Sequence, residues 1–122
     1  MNETYFFDSY AIYEILKGNK SYEKYLSADI ILTKLNLFEL YYGMLRDYNE
    51  NAANKIFAEY AAFITDFDRM TIKLAAKLRL SRRKENLSMT DCIGYAVACQ
   101  LGVKFLTGDR QFENKPNVEF VK

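Results

Sequence analysis

The stretch that decides the fold runs from residue 87 to residue 112 and reads LSMTDCIGYAVACQLGVKFLTGDRQF. Residues 92–101 are apolar on nearly every side, which predicts a helix buried in the core. Gly102 is the residue type that most often ends a helix. Residues 103–107 form a short apolar run that enters the turn sequence Thr-Gly-Asp, as a buried strand does. The stretch therefore predicts a core helix followed directly by a core strand.

Two acids flank these predicted elements. Asp91 lies at the start of the helix, where Ser88 or Thr90 could act as the cap, and Asp109 lies just past the strand. In a parallel α/β sheet a helix start and a strand end can share one edge, so the two carboxylates can meet. A structural interpretation stays open for each acid, with Asp91 interacting with the helix dipole and Asp109 serving as a turn residue.

The rest of the chain alternates short strands with helices. Further strands are predicted over residues 4–7, 29–33, 64–67 and 118–121. A short helix is predicted to end near Gly18, and others over residues 21–27, 35–48, 52–62 and 71–84. The inner face of the helix at 21–27 is expected to carry Tyr22, Tyr25 and Leu26. The helix at 71–84 is expected to have one solvent-exposed basic side. This order predicts an α/β fold with a mostly parallel sheet covered on both faces.

The composition of the chain excludes several classes of protein and of catalytic site. The 122 residues suit one domain spanning 1–122, and the net charge of +1 gives no global field that would indicate a nucleic-acid binder. The absence of histidine excludes histidine general bases, the usual catalytic triads and His-ligated zinc. No membrane span or secretion signal is expected, so the predicted location is the cytoplasm. Cys92 and Cys99, about 10 Å apart along one helix, cannot form a disulfide.

Two more acids are expected at the same sheet edge. Asp8 ends the first strand, and Glu39 lies one turn into the helix after the second, inside an apolar sequence where a carboxylate needs compensation. A solvent-facing Glu39 is the alternative. Four crowded carboxylates repel one another and are relieved by a divalent cation, and all-oxygen ligands favour Mg²⁺ or Mn²⁺. Such a site suits hydrolysis of phosphodiesters by a metal-activated water.

These motifs together resemble the PIN-domain family. The resemblance is carried by Tyr-Phe-Phe-Asp-Ser at residues 5–9, Asn-Leu-Phe-Glu-Leu at 36–40, Thr-Asp at 90–91 with its apolar helix, and Leu-Thr-Gly-Asp at 106–109. Size and motif order are most similar to VapC-like toxins. The resemblance implies a Mg²⁺- or Mn²⁺-dependent endoribonuclease that forms homodimers and is inhibited by a small cognate antitoxin. It identifies Asp8, Glu39, Asp91 and Asp109 with the family's acidic quartet, and Thr107, Ser9 and Asn36 with polar positions that support it.

Several weaker signals accompany the quartet. Arg110 is a candidate phosphate contact, because it follows Asp109. The basic residues 77–84 could track an RNA backbone or could be a solvated helix face. Four tyrosines are candidates for a dimer or antitoxin surface: Tyr41, Tyr42, Tyr48 and Tyr60. Two rival functions are a PIN-like binding module without catalysis and an aspartyl phosphatase. The phosphatase requires a second acid two residues after Asp8, where this chain has Tyr10.

Overall fold

A computed structural model describes residues 2–122. At the centre of the fold lies a four-stranded, fully parallel sheet. The strands are β1 (Thr4–Phe7), β2 (Asp29–Ile31), β3 (Lys104–Thr107) and β4 (Val118–Phe120). They lie in the order β2-β1-β3-β4, with β1 pairing with both β2 and β3. Because all strands run the same way, Asp8 after β1 and Asp109 after β3 leave the sheet at one edge, as the sequence predicted.

Helices cover both faces of this sheet. They are α1 (Ser9–Leu16), α2 (Lys34–Asp47), α3 (Glu50–Ala61), α4 (Arg69–Ser81) and α5 (Met89–Leu101). Two short 3₁₀ segments, Lys20–Tyr25 and Arg110–Phe112, complete the structure. The predicted α/β fold with a parallel sheet flanked by helices is thereby confirmed.

Side chains alternate across β1 and β3 and divide the core in two. Tyr5 and Phe7 pack with α1, α2 and α3 on one face, together with Leu106. Phe6 and Phe105 point to the opposite face, where their rings stack with centroids 5.6 Å apart among residues of α5. This two-residue period is what a strand buried on both faces requires. The two strands that precede Asp8 and Asp109 are consequently packed on both faces.

The helix starts follow from local capping. Ser88 and Asp91 form a reciprocal capping box at the start of α5, and Thr33 with Asn36 does the same for α2. Gly102 ends α5 with a φ of 69°, a left-handed conformation that favours glycine. The predicted ends of these elements are therefore correct to within a few residues, and Ser88 rather than Thr90 is the cap.

Two local predictions are wrong. Residues 64–67 form no strand, because Ile64 makes a single parallel bridge with Leu32 and the chain then turns toward Asp68, which caps α4. Leu26 is 64% exposed, since the 3₁₀ segment ends before it, although Tyr22 and Tyr25 are buried as predicted.

The apolar side of α4 is also less buried than its pattern predicts. Ala75 is buried, but Ile72 and Leu80 are 52% and 66% exposed. They line an apolar groove of about 650 Å³ between α4 and the start of α5, with Arg79 and Arg83 in its wall. Among the described residues no helix is long and apolar enough to cross a membrane.

Candidate active site

Asp8 is the most buried of the four predicted acids, with 4% of its surface exposed. It directly precedes α1, yet its side chain makes no capping hydrogen bond to that helix. Its Oδ2 instead accepts a hydrogen bond of 2.7 Å from the Thr107 hydroxyl, on the neighbouring strand β3. A buried carboxylate that performs no capping role and sits at a strand end is available for binding a ligand.

Glu39 is positioned by a series of hydrogen bonds that links α1 to α2. The Ser9 hydroxyl donates to Glu39 Oε1 at 2.8 Å, and the Asn36 amide donates to Ser9 Oγ at 3.2 Å. Asn36 is in turn held by Thr33, whose hydroxyl donates to Asn36 Oδ1 at 2.8 Å. Glu39 is half-buried and points to the site, so the solvent-facing alternative does not hold. Ser9 and Asn36 therefore lie beside Glu39, and the supporting role that the resemblance implied for them stays a prediction.

Asp91 serves the start of α5. Its Oδ2 accepts a hydrogen bond of 2.9 Å from the Ser88 backbone N–H, and its own N–H donates to Ser88 Oγ at 3.0 Å. The structural interpretation of Asp91 as a first-turn residue is therefore correct in this conformation. The same geometry also fixes its backbone beside the other acids.

Asp109 lies in the loop after β3. Its N–H donates to Thr107 Oγ1 at 3.0 Å, and its Oδ1 accepts from the Gln111 N–H at 3.0 Å. Thr107 thus accepts from the backbone of Asp109 and donates to the carboxylate of Asp8. One buried hydroxyl connects the ends of β1 and β3. The orienting role that the resemblance implied for it stays a prediction.

The four acids are close enough to perturb one another. Burial raises the pKa of Asp8 to about 7, and the charges of Asp91 and then Glu39 add to this, against the opposing bond from Thr107. Burial is also the largest cause of the raised pKa of Glu39 and of Asp91, with Asp91 adding to the first and Asp109 to the second. Asp8, Glu39 and Asp91 are therefore partly desolvated neighbours, and Asp109 lies near enough to Asp91 for its charge to act on it.

The side chains do not yet form a chelate as they are oriented. Within residues 2–122, no three Asp, Glu or Cys groups converge closely enough to hold one metal ion. What the geometry provides is a cluster of hard oxygen donors without histidine or thiolate, the donor chemistry that Mg²⁺ and Mn²⁺ prefer.

The remaining sequence predictions have mixed outcomes. The Arg110 side chain is 68% exposed and pairs with Glu113 at 3.4 Å, so its phosphate contact stays a prediction. Tyr42 and Tyr48 are exposed and Tyr41 is half-buried, but Tyr60 is buried and cannot line a surface.

One site residue was missed beyond its possible capping role. Thr90 is buried, and its hydroxyl group opposes the rise in the pKa of the Glu39 carboxyl. Its position immediately before Asp91, in the first turn of the core helix, is the signal that could have identified it.

Comparison with known proteins supports the same interpretation. The PIN domain family model matches residues 5–118 of the chain. A toxin–antitoxin complex from Klebsiella pneumoniae is similar in fold, with a TM-score of 0.74, 18% identity, and coverage of 94% of this chain and 95% of that chain. VapBC2 from Rickettsia felis, bound to a DNA fragment from its promoter, has a TM-score of 0.74, 20% identity, and coverage of 98% and 99%.

A third similar fold is VapBC from Salmonella typhimurium bound to DNA, with a TM-score of 0.72, 18% identity, and coverage of 98% of this chain and 97% of that chain. No curated protein matches the chain. The structural likenesses concern the fold, whereas the family model spans nearly the whole sequence and all four acids. The chain belongs to the PIN-domain family.

Proposed function

We propose that this chain is a single-domain endoribonuclease, dependent on Mg²⁺ or Mn²⁺, that acts in the cytoplasm as the toxin of a type II toxin–antitoxin pair. The observation that carries the proposal is the shared desolvated region of Asp8, Glu39, Asp91 and Asp109, which raises the pKa of the first three. Crowding of this kind destabilises a fold unless a cation relieves it. Membership of the PIN-domain family supports a nuclease in general.

The chain's own residues supply ligands and their orientation. Asp8, Glu39, Asp91 and Asp109 would hold the cation, which supplies a lowered pKa for an attacking water and charge neutralisation at the phosphate. Thr107 holds the carboxylate of Asp8, and Ser9 with Asn36 holds that of Glu39, so that two ligands are preorganised before substrate arrives. No histidine is needed for this chemistry, which agrees with its absence from the sequence.

RNA as substrate is supported by the resemblance and by the charge distribution. The end of α4 and the turn after it carry four exposed basic side chains: Arg79, Arg82, Arg83 and Lys84. An exposed basic row of this kind suits the phosphate backbone of a single-stranded or looped RNA. Arg110 lies nearest to Asp109 in sequence and is the proposed contact with the phosphate next to the cleaved bond.

A cognate antitoxin is the proposed partner, because the similar folds include toxin–antitoxin complexes. The apolar groove between α4 and α5 suits an amphipathic segment of such a partner, with acidic side chains placed against Arg79 and Arg83. A homodimer is also proposed. It would cover exposed aromatic side chains of α2, of which Phe38 is 71% and Tyr42 57% exposed.

Two alternatives are less well supported. A PIN-like module without catalysis would be consistent with the capping role of Asp91, but it gives no reason for burying Asp8 without a cationic partner. An aspartyl phosphatase lacks its second acid, because Tyr10 occupies that position.

The test is RNA cleavage by the purified chain in Mn²⁺, compared with Asp8→Asn and Asp91→Asn. We expect both variants to lose more than about 100-fold in rate, because direct ligands should matter more than outer-shell partners, which are worth roughly 10- to 100-fold. Asp29→Asn is the matched control, since Asp29 is an exposed acid at the start of β2, toward the opposite end of the sheet. Equal cleavage by all four proteins, or cleavage unaffected by EDTA, would contradict the proposal.

A further inference from the structure

The peptide between Gly108 and Asp109 is held from both sides. Its N–H, that of Asp109, donates to Thr107 Oγ1 at 3.0 Å. Its carbonyl, that of Gly108, accepts a hydrogen bond of 3.1 Å from Lys122 Nζ. Because a peptide group is planar, fixing both its carbonyl and its N–H fixes the direction in which Asp109 leaves the strand. Thr107 is part of the site already described, whereas Lys122 lies outside it.

Lys122 reaches this carbonyl through an anchored segment. The Val121 N–H donates to the Thr107 carbonyl at 2.9 Å, and the Tyr22 hydroxyl donates to the Val121 carbonyl at 2.6 Å. The Lys122 ammonium also donates to the Tyr10 hydroxyl at 3.0 Å and lies 5.0 Å from the centre of that ring. These contacts restrain a side chain that would otherwise be mobile in solvent.

Gly108 shows how tightly the loop is packed against the same groups. A Cβ atom at this position would overlap the Tyr10 ring and the Val121 carbonyl oxygen. The loop therefore lies directly against α1 and the segment after β4, and the Lys122 bond is one part of a close three-way contact. Since Gly108 and Asp109 are adjacent, any shift of the Gly108 carbonyl moves the Asp109 backbone.

We propose that Lys122 is a positioning residue for Asp109, which acts by holding the Gly108 carbonyl and thereby setting where the Asp109 carboxylate is offered to a cation. This inference rests on the proposed function, in which Asp109 is one of four ligands. It adds a residue to the site that lies at the opposite end of the sequence from Tyr10.

The test compares Lys122→Met, which keeps the aliphatic stem and removes the donor, with Lys122→Arg, which keeps a donor. Lys104→Met is the matched control, because Lys104 is an exposed lysine at the start of β3, away from the loop. The first readout is hydrogen exchange of the Asp109 amide in metal-free protein. We expect exchange about fivefold faster in Lys122→Met, as for loss of one ordinary hydrogen bond, and near wild-type in the other two variants.

The second readout is Mn²⁺ affinity, measured by titration without RNA. We expect about tenfold weaker binding in Lys122→Met, at the low end for loss of an outer-shell partner, with Lys122→Arg recovering most of it. RNA cleavage by Lys122→Met should then recover at saturating Mn²⁺, because the defect is in ligand placement.

The outcomes separate this inference from the proposed function. If Lys122→Met matches Lys104→Met in Asp109 exchange, or speeds exchange without weakening Mn²⁺ binding, the positioning role is wrong. If the wild-type chain neither binds Mn²⁺ nor cuts RNA, the proposed function fails, and with it the role of Lys122 in cation binding. The exchange measurement in metal-free protein still decides whether Lys122 holds Asp109. Unchanged exchange at Phe6, in the core of β1, excludes a general loss of structure.

Discussion

Two groups of acids lie near opposite ends of the same sheet and differ in their hydrogen-bond partners. Near the amino end of β1, Glu3 accepts a hydrogen bond from the Tyr5 hydroxyl, and Glu119 accepts one of 2.6 Å from the Tyr25 hydroxyl. At the carboxyl edge, Asp8, Glu39, Asp91 and Asp109 share a few hydroxyls and backbone amides. The first group, Glu3, Tyr5, Tyr25 and Glu119, is called the amino-end cluster below.

The two groups differ in which side chains have a raised pKa. In the amino-end cluster these side chains are the tyrosines. The hydrogen bond to Glu3 raises the pKa of Tyr5 to about 12, and burial together with the bond to Glu119 raises the pKa of Tyr25. Neutral phenols lose nothing by this at neutral pH. At the carboxyl edge the acids themselves have the raised pKa, which is about 7 for Asp8. What distinguishes a candidate site from an acidic surface is thus the crowding of several partly buried carboxylates, whose donors are neutral hydroxyls and backbone amides.

The largest expected effect is on the free energy of unfolding of the metal-free protein, and it tests this comparison directly. The folded-state pKa of Asp8, about 7, lies above its ordinary value of 3.8, so the native state binds the proton more tightly than the unfolded state between these values. The contribution of Asp8 to the free energy of unfolding is therefore fully present below about pH 4 and is lost as pH rises to about 7. At pH 8 we expect Asp8→Asn to be more stable than wild type by a value on the order of 4 kcal/mol.

Glu119→Gln is the contrasting variant in the amino-end cluster. It weakens the bond from Tyr25, so we expect it to lower the free energy of unfolding by about 1 kcal/mol. Urea unfolding at pH 4 and pH 8 measures both variants. The comparison breaks if both substitutions change stability in the same direction at pH 8.

The next effect in size is stabilisation by the cation itself. At a concentration 100 times its Kd, Mn²⁺ should add about 2.7 kcal/mol to the stability of the wild-type chain. The gain should grow as pH rises through 7, because the cation binds the ionised acids and Asp8 must lose its proton. Thermal unfolding with and without Mn²⁺ measures it. Asp91→Asn should lose the gain and Glu119→Gln should keep it, whereas equal gains in these variants would locate the ion elsewhere.

Sequence reasoning was successful where one-dimensional rules determine position. A strand end and a helix start must lie at a sheet edge, so Asp8, Asp91 and Asp109 could be assigned to one edge from pattern alone. Glu39 was identified because a carboxylate inside an apolar helix needs a partner, and Ser9 provides it. The alternation of strands with helices along the chain likewise predicted a mostly parallel sheet covered on both faces.

The errors occurred where tertiary contacts decide the outcome. The sequence predicted the basic side of α4 but not what covers its apolar side, because burial needs a neighbouring element, and the structure leaves Ile72 and Leu80 beside a groove. Residues 64–67 have strand-like composition, yet pairing ends after Ile64 because Asp68 must cap the next helix. The contact of Lys122 with Tyr10 spans 112 residues of sequence, and no local pattern reports it.

The smallest effect concerns whether the capping of α5 by Asp91 is structural alone. Ser88→Ala removes the oxygen that accepts from the Asp91 N–H, and should cost about 1 kcal/mol in stability. Asn49→Ala is a matched loss, because the Asn49 side chain accepts from the Ala52 N–H at 2.8 Å and caps α3, away from the acids. The two variants should unfold alike in urea, yet differ in Mn²⁺ titration.

The reason for the difference is that the Ser88 hydroxyl fixes the backbone of a proposed ligand, whereas Asn49 fixes none. With the hydroxyl removed, the first turn of α5 can shift, and Asp91 reaches the cation from a wider range of positions. We therefore expect Ser88→Ala to bind Mn²⁺ several-fold more weakly and Asn49→Ala to bind it like wild type. Equal affinities in both variants would mean that the capping box supports the helix without orienting a ligand, and would favour the interpretation of Asp91 as a purely structural acid.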